Sequence, residues 1–494
     1  MILEIVAGRL IAPYVGMSLY TWTAIIAVVL AGLSVGHWIG GRLAAGPPDA
    51  ARSYRHIAWS LALAAPASLI ILPLIRVVSG NILGSPFGAI FDVVVLTSIL
   101  FFLPSLLVGI VSPIATKVAI DEDPDNAGHV LGRMFAAGAT GSIIGTLSAG
   151  YFFISWLGTT KTVMTVAVLY AVIGFGFALW AKRRAAITSV MVLALTAVSG
   201  WTYAKEAYVS PCEVESDYFC IRFDDFSPTS ARPSRLMILD HLVHSINDRD
   251  NPGLLYSPYM HFVEELRRKK LKNADPFRAY FIGGGGFTLP RAWAHTIPDA
   301  EITVAEIDPM VTAAAAEHMW LDTKHAALDI HHEDARVLLA TFPPEPRFHV
   351  MFGDAFHDIA VPAHLVTREF HQLMAARMTD DGFYALNVID DGVNPRFTLA
   401  LAQTLALDFP AVEVWTPLEE VDPSGRITFI VIAGRQPTGE THMRATFGIV
   451  RSWARINPAE LERLASTEDI PILTDDFAPV EQLLSKFLLQ GSEG

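Results

Sequence analysis

Four apolar segments between residues 278 and 354 each end in a glycine or an acidic residue, and their order restricts the folds open to the chain. The first runs into the four glycines Gly283 to Gly286, and the second ends at Glu306. The third ends at Asp334 and the fourth at Asp354. Glu306 follows Gly283 by 23 positions (306 minus 283), close to the roughly 20 between a glycine turn and an acid that holds a ribose. The spacing predicts a nucleotide-type ligand.

Helical segments alternate with these strands up to about residue 390, which predicts a parallel, doubly wound α/β sheet of Rossmann-like, methyltransferase type. Ligands of such sheets bind at the carboxyl ends of the strands. Short apolar segments between 213 and 246 predict a small antiparallel sheet that covers the cleft. The predicted strands are 278–282, 302–305, 328–331, 348–352 and 382–388, and the predicted helices are 290–296, 309–318, 334–341 and 367–378.

The residues at these strand ends have side chains that suit a nucleoside. Gly283, Gly284 and Gly285 let the backbone approach a ligand where a Cβ would clash. Glu306 can accept hydrogen bonds from both ribose hydroxyls. Any one of these positions could hold a plain turn or a solvated loop carboxylate, but their succession at four strand ends favours a binding site.

Two further acids complete the predicted site. Asp334 can accept a hydrogen bond from an adenine amino group, while the backbone N–H of the adjacent Ala335 reads a ring nitrogen. Asp354 emerges beside the expected reacting centre and can act as a general base.

The first 204 residues differ in composition from the rest of the chain. They contain six apolar runs, each long enough to cross the roughly 30 Å of a bilayer core. We predict a helical multi-pass membrane domain over 1–204, a β-sheet lid over 205–250 and a catalytic domain over 251–494. Residues 1–16 look like the exit end of one further helix. The six runs lie near 18–43, 57–79, 88–117, 134–157, 162–181 and 185–204.

Small residues recur along the apolar runs. Gly32, Gly36 and Gly40 are spaced by four, and Gly141 and Gly145 repeat the spacing. Such spacing predicts close approach of helix backbones in lipid. An acid, Asp92, lies near the start of its run, so we expect an interfacial position for it rather than a functional one inside the membrane.

Charge and cysteine content exclude other classes of protein. The formal net charge is −14 and no basic stripe is present, which argues against nucleic-acid binding. The only cysteines, Cys212 and Cys220, match no metal-ligand spacing, and we expect no metal. We expect two free thiols; a local disulfide is the alternative if this segment faces an oxidising compartment.

The loop cations and the ligand favour opposite sides of the membrane. With six spans, the alternation of loop cations places residue 205 and everything after it outside the cytoplasm. The supply of a nucleotide-type ligand favours the inside. We give more weight to supply, and expect a multi-pass protein of the cell inner membrane with a cytoplasmic catalytic half.

The order of the glycine turn, Glu306-Ile-Asp308, Asp334-Ala335 and Asp354 resembles the spermidine synthase (polyamine aminopropyltransferase) family. The segment from Leu239 to Ser245 is similar to the substrate-side strand of that family. The apolar half and the segment 473–481 are similar to its membrane-fused bacterial branch. The resemblance implies cleavage of the sulfonium C–S bond of S-adenosylmethionine or its decarboxylated form, with release of 5′-methylthioadenosine and no permanently bound cofactor. We expect a small-molecule substrate and the bilayer as partners, and a homodimer is compatible with this interpretation.

The resemblance also assigns roles to single residues. It implies Asp354 as the catalytic base. If another group takes the proton, His357 and His244 are the candidates. We expect Asp240, Tyr256 and Asp358 to bind the substrate.

The departures from the family concern the amine half of the site. Gly286 stands where the soluble enzymes carry an aspartate, His357 where they carry a second one, and His244 where they carry a glutamine. Carboxylates that would hold a diamine are therefore largely replaced, and both transfer to an amine and intramolecular cyclisation stay open. A nucleoside-binding membrane carrier or sensor and an S-adenosylmethionine-dependent methyltransferase are the alternatives.

Overall fold

A computed structural model of the protein describes residues 1–83, 88–181, 184–271, 276–345, 347–357, 359–418, 425–467 and 469–485. The chain divides into two compact units. The first extends from Met1 to Cys212 and the second begins at Glu213, so the boundary lies slightly beyond the predicted one at residue 204.

The first unit is built from helices in the part of the chain that is described. A 3-10 turn at Pro124–Asn126 and a π-helical segment at Ala149–Ile154 connect some of them. Its α-helices are α1 (Ile2–Val15), α2 (Leu19–Ala44), α3 (Ala50–Leu69), α4 (Ile71–Ile82), α5 (Ala89–Gly109), α6 (Val111–Glu122), α7 (Ala127–Ser148), α8 (Ser155–Trp180) and α9 (Arg184–Ala204).

Apolar length makes several of these helices candidates for membrane spans. Within the described ranges, four helical stretches are long and apolar enough to cross a bilayer, and the bent pair α3–α4, with 50° between its halves, gives up to five. One of the four is the 57-residue stretch Pro124–Trp180, which at about 1.5 Å per residue is long enough for two crossings. Gly158, at φ 73° and ψ 176°, interrupts the helical backbone there. The six predicted runs are all helical, and the number of crossings stays a prediction.

The glycine ladder of α2 packs against α5 without intervening side chains. A Cβ on Gly32 would lie 2.7 Å from the carbonyl oxygen of Phe102, and one on Gly40 would lie 2.5 Å from that of Ile110. A Cβ on Gly36 would collide with the carbonyl oxygen of Leu106. The prediction of close packing is therefore confirmed for this ladder, since the two backbones leave no room for a side chain.

The second glycine pair differs from the first. No described atom lies within 4 Å of the place where a Cβ on Gly141 would stand, and the nearest atom to a Cβ on Gly145 would lie at 3.5 Å. Close packing at these two glycines is therefore absent within the described part of the chain. Asp92 lies in the first turn of α5 and its side chain is buried.

The cysteines do not match the expectation of free thiols. Cys212 and Cys220, the only two cysteines of the sequence, are both disulfide-bonded. The alternative of a local disulfide is the one that the structure contains.

The second unit combines two sheets with helices. Its strands are β1 (Val214–Glu215), β2 (Cys220–Asp225), β3 (Ser234–Leu239), β4 (Leu242–Asp248), β5 (Arg278–Ile282), β6 (Glu301–Ala305), β7 (Leu328–His331), β8 (Phe348–Gly353), β9 (Met378–Asp391), β10 (Ala411–Pro417), β11 (Arg426–Gly434), β12 (His442–Arg444) and β13 (Ser452–Arg455). Its helices are α10 (Ser227–Ser230), α11 (Pro258–Lys270), α12 (Thr288–Thr296), α13 (Pro309–His318), α14 (Ala335–Thr341), α15 (Arg368–Arg377), α16 (Arg396–Leu405), α17 (Pro458–Thr467) and α18 (Val480–Leu483).

The larger sheet has the predicted parallel core. Its strand order is β12-β13-β10-β11-β9-β8-β5-β6-β7, and β9, β8, β5, β6 and β7 are mutually parallel. In chain order the parallel strands read 3-2-1-4-5 from the β7 edge, as in Rossmann-like folds. The strands β10 to β13 extend this sheet in antiparallel fashion, an extension that the sequence patterns did not predict.

Both faces of the parallel sheet are covered, which explains the continuous apolar strands. Ala279 and Phe281 of β5 belong to one buried cluster, and Tyr280 and Ile282 belong to another. Because successive side chains of a strand point to opposite faces, a strand buried on both sides must be apolar at every position. The smaller sheet is antiparallel, in the order β1-β2-β3-β4.

We predict that Gly36→Ala destabilises the first unit. The added methyl would collide with the α5 backbone, and overpacking of this kind costs about 1–3 kcal/mol. The melting temperature of the detergent-solubilised protein measures the effect. Gly41→Ala on the same helix is the matched control, since no described atom lies within 4 Å of its Cβ position. Equal melting temperatures for the two variants would contradict the close α2–α5 packing.

Candidate active site

The glycine turn and Asp354 meet where the strand order reverses. Gly283 follows β5 and Asp354 follows the neighbouring β8, and the backbone N–H of Asp354 donates to the carbonyl of Ile282 at 3.0 Å. Gly283 has a φ of 89°, and a Cβ there would lie 2.8 Å from the carbonyl oxygen of Asp354. Glycine is required here for both reasons. This reversal point is where ligands bind in open α/β sheets.

The carboxyl group of Asp354 is held by two donors. Its Oδ1 accepts from Asn387 Nδ2 at 2.8 Å, and its Oδ2 accepts from the Tyr259 hydroxyl at 3.2 Å. Burial raises the pKa of Asp354 to about 7, although both hydrogen bonds act to lower it. A carboxyl group with this pKa exchanges a proton readily at neutral pH, as a general base must.

Sequence reasoning missed both of these partners. Tyr259 lies in the first turn of α11, with its ring stacked on Phe352 at 6.3 Å between centroids. Asn387 lies on β9, beside β8. The one available signal for Asn387 was a polar residue in an otherwise apolar strand next to the strand that ends at Asp354.

The predicted substrate residue Tyr256 lies three positions before Tyr259 and has different contacts. Its hydroxyl donates to Asp248 at 3.3 Å, and its ring packs edge-on against Phe226 at 5.5 Å. Tyr256 therefore contacts Asp248 at the end of β4, whereas Tyr259 is the tyrosine that contacts Asp354.

Glu306 fixes the glycine turn. Its Oε2 accepts from the backbone N–H groups of Gly284 and Gly285 at 2.8 and 3.1 Å, and its Oε1 accepts from that of Asp308 at 2.9 Å. Burial raises the pKa of Glu306, against the effect of these three hydrogen bonds. A carboxylate has about four acceptor positions, so one is left for a ribose hydroxyl rather than the two predicted.

Asp308 offers a second acceptor close to Glu306. Its Oδ1 accepts from Met310 N at 2.9 Å and caps α13. Its Oδ2 is buried and has no hydrogen-bond partner among the described residues. The Glu306–Asp308 pair, rather than Glu306 alone, can therefore accept from two vicinal hydroxyls.

Asp334 caps α14 and contacts a histidine. Its Oδ1 accepts from the backbone N–H groups of Arg336 and Val337 at 2.9 and 3.0 Å. Its Oδ2 lies 2.7 Å from His364 Nε2. The adjacent Ala335 is buried. An adenine amino group would therefore meet Asp334 and His364 together, and His364 was not predicted.

Arg336 connects this turn to the C-terminal segment. Its Nη1 and Nη2 donate to the two carboxylate oxygens of Asp475, both at 2.6 Å. Nη1 also donates to the carbonyl of His364 at 3.1 Å. The segment around Asp475 thus contributes to the position of the predicted nucleobase turn.

The glycine turn also contacts β4. Ser245 Oγ accepts from Gly286 N at 2.9 Å, and Asn247 Nδ2 donates to the carbonyl of Gly286 at 2.8 Å. A Cβ on Gly286 would lie 2.5 Å from that of Ser245. A side chain at 286 therefore does not fit unless Ser245 moves.

The two candidate histidines lie near the Asp354 loop. The His244 ring is 6.4 Å from that of Phe356, and burial lowers the pKa of His244 to about 4, so the imidazole is neutral at pH 7. His357 is exposed and pairs through its backbone with Ala360. The carboxyl group of Asp354 is hydrogen-bonded to Asn387 and Tyr259 instead of to either histidine.

The remaining predicted substrate residues are placed differently. Asp240 lies at the β3–β4 turn with a φ of 54°, and its carboxylate accepts from Cys220 N at 2.9 Å. Asp358 lies outside the described residues. Over the described ranges no group of three or more His, Cys, Asp or Glu side chains could hold a metal ion.

Comparison with known proteins points to one family. A polyamine aminopropyltransferase from Vibrio vulnificus is 30% identical to the chain over 134 residues. The chain is therefore homologous to this polyamine aminopropyltransferase over part of its length. The match covers 27% of this chain and 44% of that relative, so the chain spans less than half of the relative's length. No family model matches.

Comparison with solved structures finds, among others, two proteins named as spermidine synthases, one of them as a probable one, and a methyltransferase-like protein. A probable spermidine synthase from Corynebacterium glutamicum is 18% identical with a TM-score of 0.46, over 55% of this chain and 99% of that one. The spermidine synthase of Thermotoga maritima is 20% identical with a TM-score of 0.33, over 41% and 66%. Human methyltransferase-like protein 13 is 17% identical with a TM-score of 0.32, over 47% and 93%.

We predict that Glu306→Gln weakens binding of 5′-methylthioadenosine. The amide cannot accept from the turn with both of its terminal atoms, and a lost hydrogen bond to a charged group costs about 1.5–3 kcal/mol, roughly ten- to a hundred-fold in affinity. Calorimetry measures the dissociation constant. Glu301→Gln is the control. Glu301 begins β6, the strand that Glu306 follows, and its side chain is half exposed and pairs with Arg278. Unchanged affinity in Glu306→Gln would exclude the ribose assignment.

Proposed function

We propose that the protein is a membrane-bound, spermidine synthase-like enzyme that acts on S-adenosylmethionine or its decarboxylated form. It cleaves the sulfonium C–S bond and releases 5′-methylthioadenosine. The observation that carries this proposal is Asp354, a half-buried carboxyl group that is hydrogen-bonded to Tyr259 and Asn387 at the reversal point of the sheet and has a pKa raised to about 7. The partial homology to a polyamine aminopropyltransferase supports the same reaction class.

The chemistry asks little of the protein beyond orientation and proton removal. The positively charged sulfur leaves as a neutral thioether, so the barrier is lowered mainly by holding a nucleophile in line with the C–S bond. An ammonium nucleophile must first lose a proton, and Asp354 is the group that takes it. The proposal covers both aminopropyl transfer to an amine and intramolecular cyclisation.

Residues from several strand ends would bind the nucleoside. The glycine turn and the Glu306–Asp308 pair would take the ribose, and Asp334, Ala335 and His364 would take the adenine. The bilayer is the proposed partner of the apolar helices of the first unit, and a homodimer stays a prediction.

Sidedness follows from the substrate. We expect the supply of a sulfonium nucleoside to be cytoplasmic, and we therefore propose a catalytic unit on that side of the inner membrane. The disulfide-bonded cysteines and the loop cations favour the opposite side.

We predict that kcat/KM increases with pH through about 7. The proton-free form of Asp354 is the active one, so the rate should rise up to tenfold per pH unit below 7 and level off above it. Asp354→Asn should lose this rise along with most of the rate. The assay is release of 5′-methylthioadenosine measured by mass between pH of about 5.5 and 9. A flat profile in the native protein would exclude Asp354 as the base.

The melting temperature of Asp354→Asn shows whether its loss of activity comes from loss of the base or from unfolding. The pKa of Asp354 in the folded state is about 7, above the unfolded value of about 3.9. Protonation therefore stabilises the folded state fully below pH of about 4, and this contribution is lost as the pH rises through 7. Asn cannot ionise, so we expect Asp354→Asn to melt no lower than the native protein at pH 8.

Cysteine labelling in intact cells tests the sidedness. A cytoplasmic catalytic unit predicts that Cys212 and Cys220, which are disulfide-bonded in this structure, stay protected from membrane-impermeant thiol reagents even after treatment with a membrane-impermeant reductant. Labelling from outside after that treatment would place the catalytic unit beyond the cytoplasmic membrane. A reporter fused after Lys205 provides the independent control.

A further inference from the structure

We infer that the subsite beyond Asp354 takes an amine that also carries a carboxylate, and not a diamine. This inference rests on the proposed function and names the class of ligand that the same site accepts. Its two ends are marked by an acceptor on Asn387 and a donor on Arg222, both buried and both without a hydrogen-bond partner in the described part of the chain.

The amine end is marked by Asn387. Its Nδ2 donates to Asp354 Oδ1 at 2.8 Å, so its own Oδ1 takes no part in that hydrogen bond. Asn387 is 5% exposed, and its Oδ1 is buried with no hydrogen-bond partner among the described residues. A buried acceptor without a donor is costly. An ammonium or amine with several N–H groups can donate to Oδ1 and to Asp354 at once.

The carboxylate end is marked by Arg222 on β2. Its Nη2 donates to the carbonyl of Asp240 at 2.8 Å, which fixes the guanidinium beside the β3–β4 turn. Its Nε is buried and has no hydrogen-bond partner within the described ranges. A guanidinium with an unused N–H matches a carboxylate, the acceptor that its planar donors fit best.

Other groups around Arg222 increase the positive potential. Burial, followed by the charges of Arg426 and Arg222, lowers the pKa of His241 to about 4. Both guanidinium groups therefore lie close to His241, in the β3–β4 turn. A second ammonium, as on a diamine, would be repelled here, whereas a carboxylate would be attracted.

The strand register places Arg426 on the side of the sheet that carries Asn387. Ile430 of β11 lies opposite Asn387 of β9, and Arg426 lies opposite Asp391. Opposite residues share a face, and so do alternate residues of one strand. Arg426 therefore projects from the same face as Asn387, farther along β9 toward its carboxyl end.

The β3–β4 hairpin joins the two ends of the subsite. His244 follows His241 by three positions, and its ring lies 6.4 Å from that of Phe356, two residues after Asp354. The next residue, Ser245, is bonded to the glycine turn. The hairpin whose turn lies near Arg222 and Arg426 thus also contacts the loop after Asp354, through His244 and Phe356.

Among the described residues, Asp240 contacts Arg222 through its backbone carbonyl and Asp391 lies opposite Arg426, and the carboxylate of each accepts from backbone groups. Asp240 accepts from Cys220 N at 2.9 Å. Asp391 accepts from Val393 N and Asn394 N, both at 2.7 Å. They hold turns together in this structure and are directed at backbone N–H groups.

Two sources could supply an amine with a carboxylate. One is the methionine end of S-adenosylmethionine itself, and the other is an amino acid acting as acceptor. In both cases Asp354 takes a proton from the ammonium, and the nitrogen lone pair then forms a bond to the carbon attached to sulfur. The C–S bond breaks, its electron pair stays on sulfur, and 5′-methylthioadenosine leaves.

The test compares substrates on the purified full-length protein. The arms are S-adenosylmethionine alone, its decarboxylated form alone, and the decarboxylated form with glycine, β-alanine, 4-aminobutyrate or putrescine, with all products identified by mass. Turnover of S-adenosylmethionine alone identifies the first source. Turnover that needs an amino acid identifies the second. A strict requirement for putrescine would overturn the inference.

A variant separates binding of the carboxylate from catalysis. Arg222→Gln should raise the KM of the carboxylate-bearing substrate about tenfold or more and leave kcat within about twofold. Arg222→Lys should restore part of the affinity. Arg463→Gln, an exposed arginine paired with Glu460, is the control. Equal KM values for native protein and Arg222→Gln would contradict the subsite.

Calorimetry tests the subsite without turnover. S-adenosylmethionine, and each amino acid in the presence of 5′-methylthioadenosine, are titrated into native protein and Arg222→Gln. An affinity that falls in the variant supports the subsite even if no arm releases 5′-methylthioadenosine, in which case only the proposed reaction fails. Release of 5′-methylthioadenosine with carboxylate affinities unchanged by the variant would leave the reaction standing and overturn the subsite.

Discussion

The carboxylate of Glu306 is the contact on which the site depends. It accepts hydrogen bonds from the backbone N–H groups of Gly284 and Gly285 in the glycine turn and from that of Asp308, the N-cap residue of α13. These bonds hold together the ends of β5 and β6. The glycine turn also lies against the backbone of Asp354. A buried charge is tolerated only when it is hydrogen-bonded. The same carboxylate therefore sets the turn geometry and, in the proposed site, has one acceptor position left for a ribose hydroxyl.

The contact between β4 and the glycine turn closes the space beside position 286. Ser245 occupies the place that a side chain at 286 would need. The aspartate that the family resemblance would lead one to expect at 286 therefore could not be introduced alone, because Ser245 would have to move or be replaced by a smaller residue. The described cations near the turn of this hairpin include Arg222 and Arg426.

The parallel sheet could be predicted from sequence because each of its strands is apolar at nearly every position and ends in a turn residue with a chemical reason to be there. Predicted and observed strands agree closely from Arg278 to Gly353. Tyr259 and Asn387 could not be predicted, since only the fold brings a helix start and the middle of β9 to Asp354. The pairing of Cys212 with Cys220 was left open because spacing alone permits either thiols or a disulfide. The antiparallel extension of the sheet was missed although turn residues flank β11, with Pro423 and Gly425 before it and Pro437 and Gly439 after it, because these signals do not show which strand β11 pairs with.

The contact between Asp334 and His364 has a consequence for preorganisation. Asp334 Oδ1 accepts from two backbone N–H groups of α14, and Oδ2 lies 2.7 Å from His364 Nε2. The carboxylate is therefore held in one orientation by both the helix and the histidine. Because a carboxylate has about four acceptor positions, one remains on Oδ2 for the adenine amino group of the proposed nucleoside. Such a ligand would bind without displacing His364 or reorienting Asp334, so little of its binding free energy would go into ordering this side chain.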